Sequence, residues 1–292
     1  MTSPFKTTDW VAAHLDDPNV QIIDTTMIFL EPDGDFLRPG HDEYEKAHLP
    51  GAYFVDQLTL QDPEAPVPFT AASPANYFAN LADAGIDTEK TLIAYDSGPQ
   101  VGVDFKADSW AGRFVWQARA MGLEEVYVMV GGLLKWEAEG RPVTAAHPNR
   151  DVVVPGSAEG ISERLIERPA VKKALAEADT VLLDVLPKEQ FTGEIAPFGE
   201  ERPGHIPGAV NLFYGDFADP ETGALLPDED LREKFEAAGV LEAGKRPIVY
   251  CGFGVAASFV ALLLEHLGQE HVQVYDGSLQ DWALESDEPL EC

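Results

Sequence analysis

The chemistry in this chain centres on one cysteine. The run Ile248-Val249-Tyr250-Cys251-Gly252-Phe253-Gly254-Val255-Ala256-Ala257-Ser258 begins as a β-branched and aromatic strand and ends in an apolar helical pattern through Leu267. Cys251 therefore falls at the carboxyl end of a strand, just before a helix N-terminus, which is where open α/β sheets place their ligands. A cysteine acts as a nucleophile through its thiolate, and a helix N-terminus favours that form. Gly252 and Gly254 allow the backbone to curl so that successive N–H groups point inward as a cradle for an anion. The helix beginning near Val255 or Ala256 adds its positive dipole end. The loop itself holds no side-chain base. The competing reading of Cys251 is a small buried hydrophobe at a strand end.

The surrounding chain is a frame that occurs twice. Ile22-Ile23-Asp24 is echoed by Leu182-Leu183-Asp184, and His48-Leu49-Pro50-Gly51-Ala52 by His205-Ile206-Pro207-Gly208-Ala209. Ile93-Ala94-Tyr95-Asp96 is echoed by Ile248-Val249-Tyr250-Cys251, and Gly131-Gly132-Leu133-Leu134-Lys135-Trp136 by the segment Asp276 to Trp282. Four landmarks in the same order mark a duplication. The offset shrinks along the chain, so the first copy carries extra residues, mostly between Asp96 and Gly132. Asp96 occupies the cysteine position of the first copy, so only the second copy holds a nucleophile.

Each copy alternates strands with helices, the pattern of a parallel α/β sheet with helices on both faces. In the second copy, strands are expected at 180–185, 246–250 and 272–275, and helices at 228–238 and 256–267, the first of these closed by Gly239. A linker is expected at 146–160, rich in proline and glycine, between a first domain at 1–145 and a catalytic domain at 161–292. The stretch 61–74, with four prolines, reads as a surface loop.

Composition narrows the function classes. The 292 residues carry 51 acidic against 20 basic side chains, a net charge of −31. This argues against nucleic acid or an anionic membrane as partner. It also means that an anionic substrate needs a local source of positive potential. Two cysteines make no disulfide framework; Cys292, the last residue, is expected to be exposed and frayed. No signal peptide and no membrane span are visible, so a cytoplasmic location is expected. No metal-ligand spacing and no nucleotide loop occur, so neither metal nor cofactor is expected.

The paired halves, the His-Ile-Pro-Gly-Ala element and the Tyr-Cys-Gly-x-Gly-Val-x-Ala loop resemble the two-domain rhodanese-like sulfurtransferases, the thiosulfate and 3-mercaptopyruvate types. The resemblance covers nearly the whole chain. It implies tandem rhodanese-like domains and a catalytic Cys251 that takes sulfur from a small anionic donor, carries it as a persulfide, and passes it to a thiol or cyanide acceptor. It implies an amide cradle from Gly252, Phe253, Gly254, Val255 and Ala256, and a monomer. Relatives commonly place an arginine two residues after the strand ending in Asp184; this chain has Leu186 there, with Lys188 nearby as a substitute charge. Arg202 occupies the place of a second donor-binding arginine. Phe253 stands where the mercaptopyruvate type has serine or threonine and the thiosulfate type has basic residues. Leu279 replaces an aromatic after Asp-Gly-Ser.

The remaining marked residues read as structural. His48 and His205 repeat although only one copy has a nucleophile, which favours hydrogen bonding to loop backbone. Asp24 and Asp184 read as braces of strand ends, and Trp110, Arg113 and Trp116 as core and domain interface. A cysteine phosphatase on the same fold needs an arginine six residues after the cysteine; Ala257 stands there. The alternative from another class is a non-catalytic binding or sulfur-sensing module, motivated by Leu186 and Phe253.

Overall fold

The structure, a computed structural model, describes residues 3–29, 37–97, 108–149, 152–196, 202–219 and 222–292. Its strands are β1 (Phe5–Lys6), β2 (Val20–Asp24), β3 (Met27–Phe29), β4 (Leu37–Pro39), β5 (Tyr53–Phe54), β6 (Thr91–Tyr95), β7 (Val126–Met129), β8 (Leu165–Ile166), β9 (Thr180–Asp184), β10 (Val210–Asn211), β11 (Arg246–Tyr250) and β12 (Gln273–Tyr275). The α-helices are α1 (Thr8–Ala13), α2 (His41–Tyr44), α3 (Pro74–Asp83), α4 (Ser109–Ala120), α5 (Gly132–Ala138), α6 (Arg168–Ala174), α7 (Lys188–Phe191), α8 (Asp228–Ala237), α9 (Val255–His266) and α10 (Ser278–Leu284). The strands and helices expected in the second copy fall within a residue or so of these bounds.

The duplication is visible in the topology. The first sheet runs β1-β7-β6-β2-β5, and the second, read from its β8 edge, runs β8-β12-β11-β9-β10. All pairings within both sheets are parallel, which fits strands that are continuous apolar runs buried on both faces. The central strands match closely: β2 pairs β6 from Val20↔Thr91 to Asp24↔Tyr95, and β9 pairs β11 from Thr180↔Arg246 to Asp184↔Tyr250. An antiparallel hairpin, β3 with β4, is added to the first copy.

The repeated polar residues do the same work in each copy. His48 Nδ1 bonds the Tyr44 carbonyl at 2.6 Å and its ring stacks on Tyr44; His205 Nδ1 bonds the Phe191 carbonyl at 2.8 Å and stacks on Phe191. The Leu49 amide donates to the Tyr95 hydroxyl, as the Ile206 amide does to that of Tyr250. Asp24 Oδ1 accepts from the Thr26 amide and Asp184 Oδ1 from the Leu186 amide. Both histidines and both aspartates therefore brace the backbone, as their recurrence implies. The extra residues of the first copy, between Asp96 and Gly132, fall partly outside the described residues.

The copies meet through α4 and α9. Gly112 on α4 lets Phe259 of α9 close in; a β-carbon there would lie 2.8 Å from the Phe259 Cα. Helix α9 is buried from Ala256 to Glu265, which explains a sequence that is apolar on every side. Glu265 pairs with Arg119 at 3.1 Å and with Arg164, and the Trp116 indole N–H donates to the Arg164 carbonyl. One apolar core runs through both copies.

Two expectations need correcting. Residues 61–74 are a surface loop only in part: Asp62, Pro63, Glu64, Pro66, Pro68 and Ser73 are exposed, while Val67, Phe69, Ala71 and Ala72 are buried, and Ala71 and Phe69 meet Asp276 and Phe253 of the second copy. The apolar residues of this segment are interspersed with prolines, so no helical or strand period reveals their burial. Cys292 is exposed, but the chain end is not frayed, because Glu291 exchanges backbone hydrogen bonds with His205 in both directions.

Candidate active site

Strand β11 delivers Cys251 to its carboxyl end with the side chain almost buried, at 3% exposure. Three residues follow before α9 begins. Gly254 is the N-cap of α9 and takes φ +76°, the left-handed conformation open to glycine. A β-carbon on Gly254 would lie 2.6 Å from the Asp276 carbonyl oxygen, so sterics also demand glycine. The first amides of an α-helix such as α9 have no partner within the helix.

The first copy shows what such amides hold. Asp96, at the cysteine position, accepts from the Trp110 and Ala111 amides at 3.1 and 3.2 Å, at the start of α4. A carboxylate in the first copy thus caps the helix that corresponds to α9. Asp108 is buried beside it. Burial and the neighbouring Asp96 charge push the Asp108 carboxyl well above the usual carboxylate range.

The backbone of Cys251 is fixed from the segment after β12. The Cys251 amide donates to Ser278 Oγ at 3.2 Å, and Ser278 Oγ donates to the Tyr275 carbonyl at 2.9 Å. The Leu279 amide donates to the Cys251 carbonyl and the Gln280 amide to that of Gly252. Ser278 has φ +52°, and Gly132 in the first copy has φ +53°. A non-glycine residue there carries roughly 1–3 kcal/mol of strain. The second copy keeps a serine in this place, with its hydroxyl on the cysteine amide. Leu279, buried at 4%, takes its place through its backbone.

The side chains around the loop are mixed. Phe253 and Val255 pack on an apolar cluster of Met27, Phe69 and Trp110 from the first copy, with the Phe69 and Phe253 rings edge to face at 6.3 Å. Tyr214 was not singled out by sequence; burial and then the charge of Cys251 hold its phenol above the ordinary range. No spacing signal marks Tyr214, since it opens a single 3-10 turn, Tyr214–Phe217, after β10.

The two expected donor-binding cations have different surroundings. Arg202 Nη1 donates to the Glu285 carbonyl at 2.5 Å and Nη2 to that of Glu288, so its guanidinium clasps the C-terminal segment. Both terminal nitrogens are thus engaged with main-chain oxygens in this structure. Lys188, at the start of α7, is exposed and makes no ion pair among the described residues. Leu186 is buried and follows the Asp184 brace through its amide. Arg113, expected in the interface, is there: it pairs with Asp276 at 2.7 Å across the two copies. Among the described residues no group of histidine, cysteine, aspartate or glutamate is arranged to hold a metal. No helix among them is long and apolar enough to cross a membrane.

A doubled parallel α/β fold, with a cysteine at the end of the central strand before a helix in one copy and an aspartate in that place in the other, defines a class. The rhodanese-like domain family matches residues 7–139 and 167–285, and the chain belongs to that family. It is 32% identical to the 3-mercaptopyruvate sulfurtransferase of Escherichia coli K12, over 99% of this chain and 98% of that protein. It is 30% identical to the thiosulfate sulfurtransferase of Gallus gallus, over 84% of this chain and 81% of that one. The crystal structure of SseA from Escherichia coli, a 3-mercaptopyruvate enzyme, superposes with a TM-score of 0.80 at 31% identity, covering 95% of this chain and 99% of the other.

Proposed function

We propose that this chain is a sulfurtransferase in which Cys251 carries the transferred sulfur as a persulfide. The observation that carries the reading is Cys251 at the end of β11, three residues before α9, in the position where the first copy holds a carboxylate on the amides of α4. In the first half-reaction the Cys251 thiolate attacks the transferable sulfur of the donor. A sulfur–sulfur bond forms to Cys251, and the donor's bond to that sulfur breaks. The electron pair leaves with sulfite from thiosulfate, or with the pyruvate enolate, which then takes up a proton. In the second half-reaction a thiol or cyanide attacks the terminal sulfur and the thiolate is regenerated. The carrier alternates between two forms, so ping-pong kinetics are expected.

Each residue has a part in this reading. The amides of Gly252, Phe253, Gly254, Val255 and Ala256 hold the negative charge on the sulfur in either form. Lys188 supplies positive potential at the mouth as a point charge, suited to steering a small anion but not to a bidentate grip. Arg202 is assigned to the C-terminal segment instead. The domain division is taken as 1–145 and 161–292 joined by 146–160. A cytoplasmic monomer taking a small anionic sulfur donor completes the proposal.

The alternative, a non-catalytic binding or sulfur-sensing module, rests on the apolar side chains Leu186 and Phe253. Initial rates with thiosulfate and 3-mercaptopyruvate, each with cyanide and with a small thiol, separate the two. Turnover that is lost in Cys251→Ala supports the sulfurtransferase. No turnover with either donor, nor with polysulfide, overturns it.

A further inference from the structure

Arg113 is the one buried arginine or lysine among the described residues, 1% exposed, and it comes from the first copy. Its Nη2 makes the 2.7 Å ion pair with Asp276 and also donates to the Phe69 carbonyl at 2.5 Å. The other carboxylate oxygen of Asp276 accepts from the Ala71 amide at 2.8 Å. Arg113 Nη1 has no hydrogen-bond partner among the described residues, and it lies against the cysteine loop: a β-carbon on Gly254 would lie 3.3 Å from it. Phe69, whose carbonyl holds Nη2, has φ +64°, and its ring meets Phe253. The same knot thus touches the N-cap of α9 and the residue two before Ser278, which holds the Cys251 amide.

We infer that Arg113 is a positioning residue for the sulfur-carrying loop, through which the copy without a nucleophile sets the geometry of the copy that has one. The inference rests on the reading of Cys251 as the sulfur carrier. One guanidinium arm fixes Asp276, and with it the chain leading to Ser278. The other arm lies against Gly254 with its N–H groups unspent, supplying positive charge to a loop that must hold an anion, in a chain of net charge −31. A buried cation in a medium of low dielectric is worth far more to that anion than the exposed Lys188. A lysine has a single point of attachment and cannot occupy both places.

The test compares Arg113→Lys, Arg113→Met, the double variant Arg113→Met/Asp276→Asn and Arg119→Met. Removing one partner of a buried pair leaves an uncompensated charge; the double variant removes both charges and keeps the fold measurable. Arg119→Met loosens the same interface at Glu265, away from the loop. Two readouts are used: turnover split into kcat and KM, and the rate of Cys251 alkylation by iodoacetamide, which needs no sulfur donor. The expected result is a roughly 10–100-fold loss of kcat and a slowed alkylation in both single Arg113 variants and in the double variant. Arg119→Met is expected to keep parental kcat and alkylation. Recovery of kcat in the double variant would reduce Arg113 to a neutraliser of Asp276 and overturn the inference, as would an equal loss in Arg119→Met. Parent protein that is alkylated normally but turns over no donor would instead refute the sulfur-carrier reading.

Discussion

Asp184 stands at the end of β9, fully buried, where it accepts the Leu186 amide at 2.8 Å. Burial pushes its carboxyl up to about 7 from 3.8, against the opposing pull of the Leu186 amide and the Tyr250 phenol. The unfolded chain releases this proton near the lower value, and the folded chain holds it to the higher one. Stability contributed by the protonated form is therefore complete below about pH 4 and is lost as the pH rises through about 7. At about 1.4 kcal/mol per pH unit, the gap between the two values amounts to about 4 kcal/mol. Asp184→Asn mimics the protonated acid and keeps an oxygen for the Leu186 amide. Its stability relative to the parent is expected to rise by about 2–3 kcal/mol between pH 5 and pH 8. Urea midpoints for the two proteins across that range measure it. A difference between them that is flat with pH would refute the reasoning.

Three further outcomes follow from the site. Gly254→Ala must leave φ +76° or drive its β-carbon into the Asp276 carbonyl; turnover is expected to fall about a hundredfold or more with the circular dichroism spectrum retained. Arg202→Ala is expected to leave the donor KM unchanged and to free the C-terminal segment, read as faster hydrogen exchange at 285–292, since its bonds go to the carbonyls of Glu285 and Glu288; a raised KM would return Arg202 to the site. Lys188→Ala is expected to raise KM for an anionic donor at low salt, with the difference shrinking as ionic strength increases; no change at low salt would remove Lys188 from donor capture.

Much of this arrangement can be read from the chain before folding. The strand–turn–helix around Cys251 is local, and apolar runs with glycine punctuation record it. The repeat served as an internal control: His48 with His205 and Asp24 with Asp184 recur without regard to the nucleophile, and the structure gives each pair the same hydrogen bonds. What the chain conceals are contacts between residues far apart along it. Arg202 sits three residues before His205, in a plausible place for a donor, yet its partners lie more than eighty residues on, at Glu285 and Glu288. Arg113 was legible as an interface residue, but its partner Asp276 belongs to the other copy, and no pattern links the two. Residues 61–74 mix prolines with Val67, Phe69 and Ala72, so burial there leaves no periodic trace.

The central claim is that sulfur travels on Cys251. The direct measurement is the intact mass of the protein after incubation with donor and removal of excess, followed by peptide mapping without reductant. One added sulfur atom on the peptide carrying Cys251, lost on addition of cyanide, is the predicted result. No added sulfur, or sulfur found on exposed Cys292 instead, would contradict it.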